Sequence, residues 1–179
     1  MLNVYRCWIC GETYLGEEAP SDCPYCGADK EFLKPAEEYE YPKVKLTETE
    51  KKNLETALEL EVGNATFYFC AHSRTDDPKR EGMFKRLAKV EAEHAEAICT
   101  LLDIEEPKIN KKSEDCSHHY PDLEEDAKAR ETRAIKHYTQ FAQEATNPRI
   151  KEFFEALVEI ETDHLDLHNH ELEELGEEH

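Results

Sequence analysis

The feature that most constrains this chain is a pattern that occurs twice, the copies offset by 70 residues. The first copy runs from Glu61 to His94. It opens E-V-G-N-A-T-F-Y, with Tyr68 seven residues after Glu61, and closes E-A-E-H, with Glu91 and His94. In the second copy Glu131 and Tyr138 stand in E-T-R-A-I-K-H-Y, and Glu161 and His164 stand in E-T-D-H. The lone Glu precedes its Glu-x-x-His by 30 residues both times. Asp77-Pro78 recurs as Asn147-Pro148, Phe84 as Phe154 and Leu87 as Leu157. Such a chain folds into two matching halves, and what the halves keep in register is metal-ligand chemistry.

On a helix, residues i and i+3 share a face, so each Glu-x-x-His aims a carboxylate and an imidazole the same way. A residue seven positions on lies two turns away on nearly the same stripe. Each Tyr hydroxyl is therefore expected to reach toward the site that its own Glu builds. Two helices giving one Glu each and two giving Glu-x-x-His make the ligand set of ferritin-like dinuclear carboxylate proteins. The expected ligands are Glu61, Glu91, His94, Glu131, Glu161 and His164. Four carboxylates balance two divalent cations, whereas four buried carboxylates without metal are costly. Carboxylate plus imidazole suits iron or manganese better than magnesium or calcium. One Glu-x-x-His on a Glu-rich solvated face would mean little; two at equal distance from two Glu/Tyr pairs are specific. Tyr68 and Tyr138 could be plain core aromatics, but their equal offset points to hydrogen bonding behind the ligands.

The chain has 42 Asp and Glu against 22 Lys and Arg, a net charge of −20, which argues against nucleic acid or an anionic membrane as partner. No apolar run approaches the roughly 20 residues that span a bilayer. No apolar h-region precedes Cys7, so no secretory signal is expected. Seven cysteines, four of them in paired C-x-x-C, read as metal usage in a reducing cytoplasm and not as a disulfide framework. Cys70 and Cys99 are expected to be buried thiols. Cys116, His118 and His119 read as surface residues or an adventitious metal site. His168, the counterpart of Ile98, is expected to face inward, for packing or a hydrogen bond, with an extra ligand as the alternative. His170 and His179 in the acidic tail are given no specific role.

Residues 1–34 form a first module, YRCWICGETYLGEEAPSDCPYCGADKEFLK at its centre. Cys7 and Cys10 are separated by twelve residues from Cys23 and Cys26, and Gly11 and Gly27 follow the second Cys of each pair. Four thiolates at this spacing make a tetrahedral site for zinc or iron. Glycines there allow a tight turn that aims N–H groups at sulfur. Tyr5, Trp8, Tyr14, Tyr25 and Phe32 supply a small apolar shell, so the module needs its metal to fold. A structural zinc is the plain reading; fusion to a centre that needs electrons favours redox-active iron. Residues 35–46 read as a linker. Residues 47–179 read as four helices. Helix A starts at the capping box Thr47 to Glu50, and helix B at Asp77-Pro78. After one long crossover over 103–122, helix C starts near Asp122, with Glu125 completing a box. Helix D runs from Pro148 to about Leu175. The fold class is mainly α: a four-helix bundle with one long crossover plus a small four-cysteine module.

YRCWICGETYLGEEAPSDCPYCG resembles the rubredoxin-like module of rubrerythrins, and the Glu61/Glu91-His94/Glu131/Glu161-His164 set resembles their di-iron bundle. With the tetrathiolate module leading, the order is similar to the so-called reverse rubrerythrins. The resemblance implies a non-haem peroxidase in which a di-iron site reduces hydrogen peroxide, or dioxygen, to water. It implies electrons from an NAD(P)H-linked donor, a reduced rubredoxin or flavoprotein, relayed by the tetrathiolate iron, often across a homodimer boundary. It implies terminal roles for Glu61 and Glu131, bridging roles for Glu91 and Glu161, and one iron each for His94 and His164. Peroxidase-type members usually carry a further Glu three residues after the third-helix Glu. Here that position is Ala134, and its first-copy equivalent is Asn64. The remaining six ligands are also those of bacterioferritin-type ferroxidase sites. Asn64 joins the two tyrosines as a candidate to hydrogen-bond a bound oxygen species. A ferroxidase, iron-storage or iron-sensing protein with structural zinc in the cysteines is the alternative, and a partner-binding protein with inert metals is a third.

Overall fold

The computed structural model describes residues 1–177; His179 lies outside them. Near the N-terminus three short antiparallel strands, β1 (Asn3–Cys7), β2 (Thr13–Gly16) and β3 (Leu33–Pro35), form a sheet in the order β2-β1-β3. Tyr5 faces Tyr14 on one side and Pro35 on the other. Four long helices follow: α1 (Glu48–His72), α2 (Pro78–Leu102), α3 (Tyr120–Glu144) and α4 (Pro148–Glu177). α1 packs on α2 and α3 on α4, so each copy of the repeat is one helical hairpin. The long connection joins the hairpins, which gives a ferritin-like four-helix bundle. Among the described residues no helix is long and apolar enough to cross a membrane.

Local chemistry sets the helix starts. Thr47 and Glu50 form the expected reciprocal capping box on α1. The second carboxylate oxygen of Glu50 accepts the amides of Thr146 (2.8 Å) and Asn147 (2.7 Å), tying the start of α1 to the turn before α4. Asp77 caps α2 by accepting the Arg80 amide at 2.9 Å. The box expected at Asp122 and Glu125 is not formed. α3 starts earlier, at Tyr120, with Pro121 in the first turn and no side-chain cap. A proline there supplies helical φ and has no N–H to satisfy. Asp122 instead accepts from Ser117 and pairs with His119 at 3.1 Å. α4 continues through Gly176, which lowers helix propensity without blocking the helix.

The connection over residues 103–119 corrects two cysteine expectations. Cys70 is buried, but it is not a free thiol: it is joined to Cys116 in a disulfide. Facing away from Glu61, Cys70 meets the crossover as that segment folds back along α1. Arg74 donates to the Glu114 carbonyl at 2.9 Å in the same stretch. With Cys116 bonded, and His118 and His119 exposed, those three form no ligand cluster. Cys99 is a buried free thiol. His170 is exposed beside Glu174.

The sheet module sits on the bundle through specific polar contacts. Trp8 Nε1 donates to Glu152 at 2.8 Å, Arg149 donates to the Trp8 carbonyl, and Arg86 donates to the carbonyls of Pro24 and Tyr25. Module and bundle share one apolar core, in which Ile9, Leu33, Leu54, Ile98, Phe154 and Ile160 are buried together. A second cluster, around Phe67, Tyr68, Phe84 and Leu123, fills the other end of the bundle. Glu61 lies between Leu54 and Tyr68 on α1, so the polar centre occupies the layer between the two clusters.

Candidate metal centre

The four cysteines converge. Cys7 and Cys26 sulfurs are 3.7 Å apart, Cys10 and Cys23 sulfurs 3.8 Å, and all four sulfurs lie within 4.8 Å of one another. The two knuckles repeat one geometry. Gly11 (φ 84°) and Gly27 (φ 82°) take the left-handed conformation that glycine adopts without strain. Their amides donate at 2.9 Å to the carbonyls of Cys7 and Cys23 and close each turn. Hydrogen bonding from Cys10 holds the Cys7 and Cys23 thiols below their usual range, while Cys10 is itself pushed up by Cys23. Four sulfurs this close call for a cation to carry their joint charge.

The second centre is built by all four helices. Glu61, Glu91, His94 and Glu161 form one group that could hold a metal ion, and Glu91, Glu131, Glu161 and His164 another, each with atoms within 4.8 Å of one another. Glu91 and Glu161 are common to both groups. His94 Nδ1 lies 3.3 Å from Glu161 and 3.5 Å from Glu61. His164 Nδ1 lies 3.0 Å from Glu161 and 3.2 Å from Glu91. The four carboxylates and His94 are fully buried, and the His164 side chain is 12 % exposed.

Burial pushes the Glu61 and Glu131 carboxyls far up, and the charges of Glu161 and Glu91 add to it. Burial opposes ionisation of Glu91 too, but His164 and His94 outweigh it and hold that carboxyl down. Burial opposes charge on both imidazoles, yet the surrounding carboxylates raise them well above the usual histidine range. Among the described residues, Glu61 Oε2, both Glu91 oxygens, Glu131 Oε2, Glu161 Oε1 and His94 Nδ1 have no hydrogen-bond partner. So many unpaired polar atoms, buried and aimed at one space, suit a pair of cations.

Both tyrosines reach the carboxylate centre, each through the Glu of the opposite half. Tyr138 donates to Glu61 Oε1 at 2.5 Å, and Tyr68 donates to Glu131 Oε1. Each hydroxyl therefore serves the Glu of the other half. Seven residues put a Tyr two turns, about 10 Å, from its own Glu along one axis. The two bonds also show that α1 and α3 run antiparallel, which brings each Tyr level with the opposite Glu. Asn64 is buried; its Oδ1 lies 3.5 Å from Arg130 and its Nδ2 has no partner among the described residues. Ala134 is buried at the matching place on α3.

His168 faces inward but is not among the converging groups that could hold a metal ion. Its Nε2 is 2.8 Å from the Tyr68 hydroxyl and its Nδ1 is 2.6 Å from Glu124. Glu124 and Glu171, both buried, were not foreseen. Subtracting 70 from their numbers gives Leu54 and Leu101, and that exchange of Leu for Glu was the available signal. The contact between the centres was not foreseen either: His94 Nε2 lies 2.8 Å from the Cys26 carbonyl oxygen.

A family profile described as rubrerythrin matches residues 52–172, and one described as rubrerythrin, rubredoxin-like domain matches residues 5–34. Reverse rubrerythrin-1 of Clostridium acetobutylicum is 34% identical over 113 residues, which cover 56% of this chain and 62% of that protein. The match thus spans less than two thirds of the curated relative. No solved structure matches the chain at a significant level. Both copies of the duplicated Glu/Tyr and Glu-x-x-His pattern fall within the longer matched segment, and the chain belongs to the rubrerythrin family.

Proposed function

We propose that the chain is a non-haem di-iron oxidoreductase that reduces hydrogen peroxide to water, fed by a single iron in Cys7, Cys10, Cys23 and Cys26. The observation that carries this reading is the 2.8 Å contact of His94 Nε2 with the Cys26 carbonyl oxygen. A carbonyl only accepts, so Nε2 bears a proton, and Nδ1, which faces the carboxylates, is the nitrogen left to bind a cation once one displaces its proton. One imidazole thus belongs to the larger centre and touches the backbone of a residue of the smaller one. A zinc knuckle serving only stability has no use for such a link.

Glu61, Glu91, His94, Glu131, Glu161 and His164 would hold the two irons, with Glu91 and Glu161 shared between them. When bound, ferrous ions supply electrons and Lewis acidity. The chain's own residues do the rest. Tyr68 and Tyr138 orient Glu131 and Glu61 by binding one oxygen of each. The Asn64 amide offers an unused donor. The near-complete burial of the centre restricts it to a substrate the size of peroxide or dioxygen. A reduced rubredoxin or a flavoprotein drawing on NAD(P)H would recharge the cysteine iron, in a cytoplasmic homodimer. Transfer along Cys26 and His94 stays within one chain.

The second reading, a ferroxidase, is favoured by Ala134, where a seventh carboxylate would stand. One experiment separates the two. Protein loaded with iron and reduced without air is mixed with peroxide or with aerated buffer, and the red colour of ferric tetrathiolate is followed. The peroxidase reading expects the colour to return much faster with peroxide and to fade again when donor is supplied. Equal rates with peroxide and air, or a colourless zinc-filled module, would overturn it.

A further inference from the structure

We propose that Lys79, Glu171, Tyr120, Glu124, His168 and Tyr68 form a relay that carries protons from the surface to the Glu131 end of the carboxylate–imidazole centre.

Two bonded segments, Lys79–Glu171–Tyr120 and Glu124–His168–Tyr68–Glu131, meet on α3, where residues 120 and 124 are one helical turn apart. Lys79 Nζ, more than half exposed, lies 2.6 Å from Glu171 Oε1, and the Glu171 side chain is 2 % exposed. Tyr120 donates to Glu171 Oε2 at 2.8 Å. Glu124, one turn further along α3, lies beside the Tyr120 hydroxyl, and with Glu171 it opposes ionisation of that phenol. Glu124 Oε2 is 2.6 Å from His168 Nδ1, and His168 Nε2 is 2.8 Å from the Tyr68 hydroxyl, which donates to Glu131. The His168 ring is stacked with Tyr68 at 5.7 Å and Phe84 at 6.5 Å, so both ring nitrogens are held in line.

The duplication supplies the control. Positions 124, 168 and 171 correspond to Leu54, Ile98 and Leu101 in the first copy. There Tyr138, the counterpart of Tyr68, is buried with those three apolar residues in one hydrophobic cluster. Leu, Ile and Leu therefore suffice to pack this part of a hairpin. Two buried carboxylates and an imidazole cost desolvation that the apolar set does not. Packing explains Leu54, Ile98 and Leu101; it does not explain Glu124, His168 and Glu171.

The relay rests on the proposed peroxide reduction, which consumes protons: H2O2 + 2 e− + 2 H+ gives 2 H2O, with the electrons from the cysteine iron and its donor. The centre is almost closed to solvent, so protons need a path. In one passage a proton taken up at Glu171 moves to the Tyr120 oxygen as the Tyr120 proton moves to Glu124. Glu124 gives its proton to His168 Nδ1, the Nε2 proton goes to the Tyr68 oxygen, and the Tyr68 proton goes to Glu131. Every intermediate group ends with the proton count it began with.

Two variants test this: Tyr120→Phe, which removes one oxygen, and the graft Glu124→Leu, His168→Ile and Glu171→Leu, which installs the first half's own packing. The first readout uses the zinc-loaded full chain and needs no turnover. The ring N–H of His168 is followed by nitrogen-15 NMR for exchange with solvent. Rapid exchange is expected despite full burial, slowed at least about tenfold in Tyr120→Phe. The second readout mixes the reduced iron-loaded chain with peroxide and follows iron oxidation and proton uptake by an indicator dye. The graft is expected to slow both on the order of 100-fold. Exchange unaffected by Tyr120→Phe, or oxidation unaffected in a folded graft, overturns the relay. If the graft does not fold, the Tyr120→Phe exchange rate decides. A wild type inert to peroxide whose His168 exchange still depends on Tyr120 overturns the substrate reading and leaves the relay standing.

Discussion

His94 Nε2 and the Cys26 carbonyl oxygen stand 2.8 Å apart, and they join a helix of the first hairpin to the second cysteine knuckle. Gly27 reinforces this docking, because a Cβ there would come within 3.3 Å of Ile160, the neighbour of Glu161. The two centres are thus held at a fixed separation by backbone and core, not by a flexible linker.

Replacing His94 by Leu removes this contact and one proposed ligand. The four-cysteine centre keeps its metal and its spectrum. Its reoxidation by peroxide in a single turnover is expected to fall on the order of 100-fold, the scale of losing an aligned group at a reacting centre. Unchanged reoxidation would mean that electrons take another route.

Tyr138→Phe leaves Glu61 without the hydroxyl that fixes one of its oxygens at 2.5 Å. Loss of such an outer partner weakens metal binding by about 10- to 100-fold. Competition with a chelator, monitored by metal content, gives the number. Tyr68→Phe is expected to weaken binding by a similar factor, because it frees Glu131 in the same way.

Glu50 gives a pH-dependent stability. Burial raises its carboxyl, but the Thr47, Asn147 and Thr146 amides and the Thr47 hydroxyl outweigh that, and the pKa falls from 4.5 to about 2. A depressed carboxyl stabilises the fold fully above its unfolded value and loses that contribution as pH falls toward the folded one. Glu50→Gln is therefore expected to cost about 1–3 kcal/mol at neutral pH. Urea denaturation of both proteins should show the gap narrowing between pH 4.5 and 2. A gap of constant size would show that charge is not what Glu50 contributes.

The Cys70–Cys116 bond closes a loop of sequence separation 46 that contains all of α2. Restricting the unfolded chain in this way stabilises by about 2–4 kcal/mol. Thermal unfolding with and without reductant, compared with Cys116→Ser, measures it. The variant is expected to melt lower than the oxidised wild type and level with the reduced one.

The ligand spacing was legible because a helix turns a fixed interval into a shared face, and the duplication supplied an internal check. What lay across from each face was not legible. The spacing aims Tyr68 at the centre without naming Glu131 as its partner, because the antiparallel meeting of α1 and α3 belongs to the assembled bundle. Cys116 gave no sign of its partner, since a loop without period carries no direction. Glu124 and Glu171 were hidden among 42 acidic residues, where a buried carboxylate reads like any solvated one. Only alignment of the two halves singles them out.

Each hairpin lends its hydroxyl to the opposite hairpin's carboxylate, so neither can complete its side of the box alone. A half-length peptide pairing with itself about a two-fold axis would place identical residues at both ends. It could not be apolar at Leu54 and ionisable at Glu124 in the same molecule. Joining both halves in one strand is what frees the two ends to diverge, leaving one sealed and the other open to traffic.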